Sequence, residues 1–128
     1  MKQIKLPSLL FALLSFGFAV EASEIVAAPD GVEIHFDRHG NGSPTLVLVH
    51  GWANDRTIWD AQVAHFSEKY EVINIDLPSF GESGNNREHF SIKGFGKDVA
   101  TLVDKLGLSQ VVLVGFSFGA SIAIEAAT

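Results

Sequence analysis

Three stretches of this chain are apolar almost without interruption: TLVLVH (45–50), EVINID (71–76) and QVVLVG (110–115). Strands buried on both faces read this way, and both-face burial is typical of parallel sheets. An earlier stretch alternates instead. Val32, Ile34 and Phe36 fall on one face and Glu33, His35 and Asp37 on the other, which predicts a strand near a sheet edge. Before it, Ile25 to Ala28 and the turn formers Pro29-Asp30-Gly31 complete a hairpin. HGNGSP (39–44) is a turn cluster.

Helical periodicity fills the gaps between the apolar runs. Thr57 and Asp60 have the spacing of a capping box, followed by Trp59, Val63 and Phe66 on one stripe. Ser91 is placed to cap a second helix. Its stripe is Ile92, Phe95, Val99, Leu102, Val103 and Leu106, and Gly107 is the stop. Lys93, Lys97, Asp98, Asp104 and Lys105 read as its solvated face. From Ser117 onward the chain is helical, with Ile122, Ala123, Ala126 and Ala127 able to face a sheet. The predicted order is β-β-β-α-β-α-β-α, an α/β fold with a mostly parallel sheet flanked by helices on both faces.

The first 22 residues follow a different logic. A start with two lysines, an apolar run from Leu9 to Val20, and Val20-Glu21-Ala22 form the layout of a secretory signal peptide cleaved after Ala22. The run is short for a membrane span, which needs about 20 residues. Residues 1–22 are therefore expected to be removed on export, leaving a secreted or periplasmic domain over 23–128 with no stable membrane anchor.

Composition narrows the class further. The chain is 47% hydrophobic and 19% charged, a globular balance rather than a disordered one. A formal net charge of −6 disfavours nucleic acid as a partner. The absence of cysteine removes disulfides, thiolate chemistry and cysteine metal sites.

The candidate chemistry sits in GFSFG (115–119). A bare Gly-x-Ser-x-Gly arises by accident in about one chain in twenty-five of this length, given average glycine and serine usage. Its context carries the weight. Ser117 follows a buried strand and opens a helix, the setting of a nucleophile elbow. A turn that sharp strains the apex residue, and Gly115 and Gly119 remove the Cβ atoms that would collide around it. The hydroxyl then projects above the sheet, and the Phe118 N–H points to where an oxyanion would form. The bland alternative is a serine that merely caps the helix.

His50-Gly51-Trp52 follows the first central strand, where Gly51 lets the chain turn so that the Trp52 N–H becomes a second oxyanion donor. His50 is expected to bond loop backbone. Asp76, opening DLPSFGES (76–83), is expected to hold loop N–H groups rather than take part in catalysis.

HGW, DLPSFGES and GFSFG, each after a strand and at these spacings, resemble the α/β-hydrolase superfamily, most closely its serine esterase, lipase and perhydrolase-like members. The resemblance covers about residues 24–128. It implies a sheet of order 1-2-4-3-5, Ser117 as nucleophile, and an oxyanion hole made by the Trp52 and Phe118 N–H groups. His50, Gly51, Gly115, Gly119 and Asp76 become supporting residues. It implies no metal and no organic cofactor, and a small ester or acyl substrate. Three positions depart from the pattern. Phe116 stands where histidine is frequent, Phe118 where methionine or glutamine is, and Ser79 where the loop has glycine, which leaves that loop's backbone path open.

The resemblance also implies a carboxylate and then a histidine after the nucleophile. All five histidines (His35, His39, His50, His65 and His89) precede Ser117, and only Glu125 follows. The expectation is therefore the N-terminal portion of a hydrolase, truncated after the elbow, inactive by itself and liable to aggregate at its unfinished edge. Perhydrolase, C–C hydrolase and aminopeptidase chemistry share the same elbow. From another class, the alternative is a non-catalytic fragment or binding domain. Coding sequence downstream of Thr128 discriminates the two.

Overall fold

The computed structural model describes residues 23–128. The stretch read as an export signal, 1–22, lies outside the described residues. Five strands and three helices follow in chain order: β1 (Glu24–Ala27), β2 (Glu33–His39), β3 (Thr45–Val49), α1 (Asp60–Phe66), β4 (Val72–Ile75), α2 (Ile92–Lys105), β5 (Val111–Gly115) and α3 (Phe118–Ala126). A 3₁₀ turn over Arg56–Trp59 leads into α1.

The strands form one sheet in the order β1-β2-β4-β3-β5, as the resemblance implies. The sheet is mixed. β1 and β2 make the hairpin expected at Pro29-Asp30-Gly31, with Gly31 at φ +87°, and β2 also runs antiparallel to β4. β4, β3 and β5 are parallel, in a register that pairs Val49 with Ile75 on one side and with Gly115 on the other. All three therefore end at the same rim, and the segments leaving them there start side by side.

Alternation along each strand divides the core in two. Val47, Val49, Ile73 and Ile75 face α2 and α3, together with Phe95, Val99, Leu102 and Ile122. Leu46, Leu48 and Val72 face α1, where Val63 is the buried anchor and Trp59 and Tyr70 flank it. Burying a side chain of this size contributes roughly 1.5–3 kcal/mol, so about a dozen of them oppose the ordering entropy of the chain. β5 is less buried than its apolar run suggests, with Val112 45% exposed, because it lies at the sheet's end.

The helix signals are read partly as expected. Ser91 caps α2, its hydroxyl accepting from the Gly94 N–H at 3.0 Å, and Gly107 ends it at φ +65°. The first helix begins differently. Asp55, not Thr57, caps the 3₁₀ turn that leads into α1, and its carboxylate accepts from the Thr57 N–H at 2.9 Å and the Thr57 hydroxyl at 2.5 Å. A carboxylate offers two acceptor oxygens and outcompetes a hydroxyl for the free amides of a helix start. Of the predicted stripe on α1 only Val63 is fully buried.

On α2, Ile92 is exposed while Asp98 is buried at 2% exposure, which corrects both readings. Asp98 points inward because Arg87 meets it there, at 2.7 and 2.9 Å, while reaching Asp30 in the β1–β2 turn at 2.6 Å. One guanidinium thus ties the hairpin to α2. Removing it strands a buried carboxylate, which typically costs about 3–5 kcal/mol. Arg87→Ala is expected to lower the urea unfolding free energy by that order. Asp30→Ala, which leaves the inner pair intact, is expected to cost well under half as much, in the same experiment.

Candidate active site

Ser117 stands at the junction of β5 and α3 with φ 52° and ψ −116°, outside the ordinary regions for a residue with a side chain. It occupies the cap position of α3, yet its side chain makes no capping hydrogen bond. Ser91 is the contrast. That serine is extended, at φ −151° and ψ 155°, and caps its helix. The cap reading of Ser117 therefore fails, and its hydroxyl is left exposed above the sheet.

The two glycines have distinct reasons. A Cβ on Gly119 would run into the Val49 and His50 carbonyls, so α3 starts pressed against the end of β3. A Cβ on Gly115 would strike the Gly119 carbonyl and the Ala120 amide, so the chain folds back on itself within one turn. The Phe116 N–H continues the ladder to the Val49 carbonyl at 3.1 Å, and the next residue is the apex.

His50-Gly51-Trp52 leaves β3 alongside this elbow. A Cβ on Gly51 would sit 3.0 Å from the Phe116 ring, so the two loops touch. The Trp52 ring lies edge-on to Phe118 with centroids 5.4 Å apart, and to Phe80 at 5.3 Å. Neither the Trp52 nor the Phe118 N–H has a backbone or side-chain acceptor among the described residues. Two free amides, a free hydroxyl and a helix N-terminus thus share one rim, an arrangement able to stabilise negative charge developing next to Ser117.

His50 is wholly buried. Its Nε2 accepts from the Leu77 N–H at 3.0 Å, which places the proton of the neutral ring on Nδ1, donating to the Gly51 carbonyl at 2.8 Å. Both nitrogens are committed to backbone, and the ring bridges the loops after β3 and β4. Burial pulls its pKa below the usual imidazole value, against the Gly51 carbonyl, Asp76 and Asp55, which favour the cation.

Asp76 is 1% exposed and gathers loop donors, as its sequence context suggests. Its carboxylate accepts from the Arg56 N–H at 2.7 Å, the Glu82 N–H at 2.9 Å and the Arg56 guanidinium. Its carbonyl accepts from the Ser83 hydroxyl at 2.7 Å, which in turn accepts from the His35 N–H at 2.8 Å. Arg56 was not singled out in the sequence, yet it is the centre of this network. It also holds Asp37 at 2.7 Å and Glu82, and its carbonyl accepts from the Asn74 amide at 3.0 Å. No local pattern announces it, because its partners are 19, 20 and 26 residues away. Desolvation works against its charge, but the bonds to Glu82 and Asp37 and the nearby Asp76 hold its pKa above the ordinary arginine value. Ser79 adopts φ 71°, so the loop keeps the left-handed turn that glycine favours although a side chain is present.

A family model described as the alpha/beta hydrolase fold matches residues 44–128. The chain belongs to that family. It is 34% identical over 100 residues to the uncharacterized hydrolase YugF of Bacillus subtilis, covering 77% of this chain and 37% of YugF. It is 48% identical over 50 residues to the pimeloyl-[acyl-carrier protein] methyl ester esterase of Legionella pneumophila, covering 39% of this chain and 20% of that enzyme. Among solved structures, the thermophilic esterase from Thermogutta terrifontis superposes with a TM-score of 0.75 at 32% identity, over 83% of this chain and 40% of that one. The chain thus spans about two fifths or less of the relatives it matches.

The His50 bridge makes the rim sensitive to acid. The imidazole pKa is lower folded than unfolded, where it lies near 6.5. Above that value both states are neutral and the bridge contributes fully. As pH falls below it, the unfolded chain takes the proton first, so stability drops until the folded ring is also protonated. Urea midpoints measured from about pH 7 to pH 5 are expected to fall more steeply for the native chain than for His50→Gln, which cannot titrate.

Proposed function

We propose that this chain carries the nucleophile and the oxyanion hole of a serine hydrolase acting on carboxylic esters. The observation that carries the reading is the backbone of Ser117: φ 52°, ψ −116°, at a strand-to-helix junction, with no capping bond to explain it. Strain of this kind costs about 1–3 kcal/mol and persists where the surroundings enforce it. In the proposed reaction Ser117 Oγ attacks the acyl carbonyl, the alcohol leaves, and water releases the acid. The Trp52 and Phe118 N–H groups receive the oxyanion. Esterases stand among the relatives, beside epoxide hydrolases, and support an ester as the substrate.

Serine needs a base to be nucleophilic. His50 is committed to Leu77 and Gly51, and His35 lies against Ser23 and Glu33. No described histidine nitrogen has a hydrogen bond to Ser117. The base and the carboxylate that orients it are therefore read as coming from outside these 128 residues, in chain order Ser, acid, His. The rival reading, a binding module without chemistry, predicts that supplying those groups changes nothing.

The test is hydrolysis of p-nitrophenyl acetate. The 128-residue chain is expected to show at most the residual share left when a triad is incomplete, about 10³–10⁴-fold over water. The chain extended by its acid- and histidine-bearing remainder is expected to turn over at an enzymatic rate. Ser117→Ala in that protein is expected to lower kcat by about 10⁶-fold. Full activity in the short chain, or an active Ser117→Ala, would overturn the assignment.

Export is the second element of the reading, motivated by the lysine-led apolar run and Val20-x-Ala22. The intact mass of the protein recovered outside the cytoplasm is expected to correspond to a chain beginning at Ser23. Recovery of that soluble protein with Met1 intact would contradict it.

A further inference from the structure

We propose that the rim around Ser117 selects esters bearing an uncharged aromatic group and rejects esters that carry a carboxylate. The inference rests on the reading of Ser117 as the reacting group.

Aromatic side chains border the elbow on both sides. Trp52 is 64% exposed and Phe116 54% exposed, unusual openness for residues of that size. Neither ring is loose. The Trp52 ring is braced edge-on by Phe80 and Phe118, and Phe118 is braced in turn by Phe95 at 5.6 Å. The Phe116 ring rests on Gly51, where a Cβ would crowd it. Rings held at their edges and open elsewhere are preorganised to receive another ring, because little freedom is lost on contact. Beside Phe116 opens a cleft of about 340 Å³ lined by Asn54, Ile58, Trp59 and Gln62. None of its lining side chains is charged.

Charge decides against an acidic substrate. In the segments leaving β3, β4 and β5 (50–59, 76–84 and 116–119) the acidic residues are Asp55, Asp76 and Glu82, and the single Lys or Arg is Arg56. That guanidinium is already engaged by Asp37, Asp76 and Glu82. An incoming carboxylate would meet net negative charge and find no free cation to pair with. Its desolvation beside the rings would go uncompensated.

Three matched acetates separate these effects: phenyl acetate, cyclohexyl acetate of similar shape without a π face, and 4-acetoxybenzoate with an added carboxylate. Binding is followed by the indole N–H resonances of Trp52 and Trp59 in the Ser117→Ala variant, so that no ester is consumed. Phenyl acetate is expected to bind about two- to tenfold more tightly than cyclohexyl acetate. 4-Acetoxybenzoate is expected to bind more weakly than phenyl acetate, with the gap narrowing in high salt. Trp52→Leu and Phe116→Leu, both at exposed positions, are each expected to reduce the aromatic preference. Equal affinities, tighter binding of the carboxylate, a preference unchanged in both variants, or no saturable shift with any of the three would overturn the proposal. The binding readout does not require Ser117. If the preference holds and the extended chain hydrolyses nothing, the nucleophile assignment falls while the aromatic selectivity stands.

Discussion

A carboxylate with 1% exposure at the end of a central strand has to be compensated, and most of the rim is organised by how Asp76 is. An isolated charge in that position would be excluded from the fold. Here its partners are the backbone of the loop after β4, the backbone entering the 3₁₀ turn and the Arg56 side chain. The first belongs to the loop that Asp76 itself opens, and the other two both belong to Arg56. Satisfying one buried charge therefore fixes the loop after β4 and the start of the 3₁₀ turn relative to the sheet. Arg56 extends the same demand outward to Asp37 on β2 and to Glu82. Because both charges are largely removed from water, their interaction is screened far less than a surface pair.

His50 performs the equivalent task with no charge at all. A neutral imidazole can accept on one nitrogen and donate from the other, so one buried ring satisfies an amide and a carbonyl from two loops. Lysine or arginine could only donate, and a carboxylate could only accept. The histidine is suited to the place because burial keeps it neutral. It is also withdrawn from proton transfer at Ser117 by the same bonds that make it useful there. Structural and catalytic histidines cannot be told apart by residue type. They are told apart by what the nitrogens are bonded to, and here both are held by backbone groups of Gly51 and Leu77.

The central strands were legible because both-face burial leaves apolar runs that need no partner to be recognised. Ser91, Gly107 and the Pro29-Asp30-Gly31 turn were legible because capping and turn chemistry are local. The elbow was legible because its glycines answer collisions within a few residues, at Gly119 and Ala120, or against the adjoining strand. What escaped was long-range electrostatics. Asp98 resembles a solvated helix position until Arg87 arrives from a loop 11 residues away. Arg56 resembles any surface arginine until three carboxylates, one from β2 and two from the loop after β4, close on it. At Asp55 and Thr57 the failure was of a different kind. Both residues suit a cap, and only the geometry shows that the carboxylate serves both the amide and the hydroxyl of Thr57.

Backbone strain is confined to the rim that these networks fix. Among the described residues, the non-glycine positions with positive φ are Ala53, Ser79 and Ser117, one in each of the segments leaving β3, β4 and β5. At the opposite end of the strands the left-handed positions Gly40 and Gly107 are glycines, and there the conformation costs little. The rim has a left-handed glycine too, Gly81 at φ 53°, but at Ala53, Ser79 and Ser117 a side chain is kept in that conformation. Each side chain kept there costs about 1–3 kcal/mol that packing elsewhere must offset. Ser117 has a chemical reason to be kept, since a glycine has no hydroxyl. Ser79 and Ala53 have none of that kind in the contacts they make. The Asp76–Arg56 network and the His50 bridge surround both of them, so the rim is rigid enough to carry the extra strain. Rigidity of this sort is what an oxyanion site requires, because amides must already be aimed before charge appears.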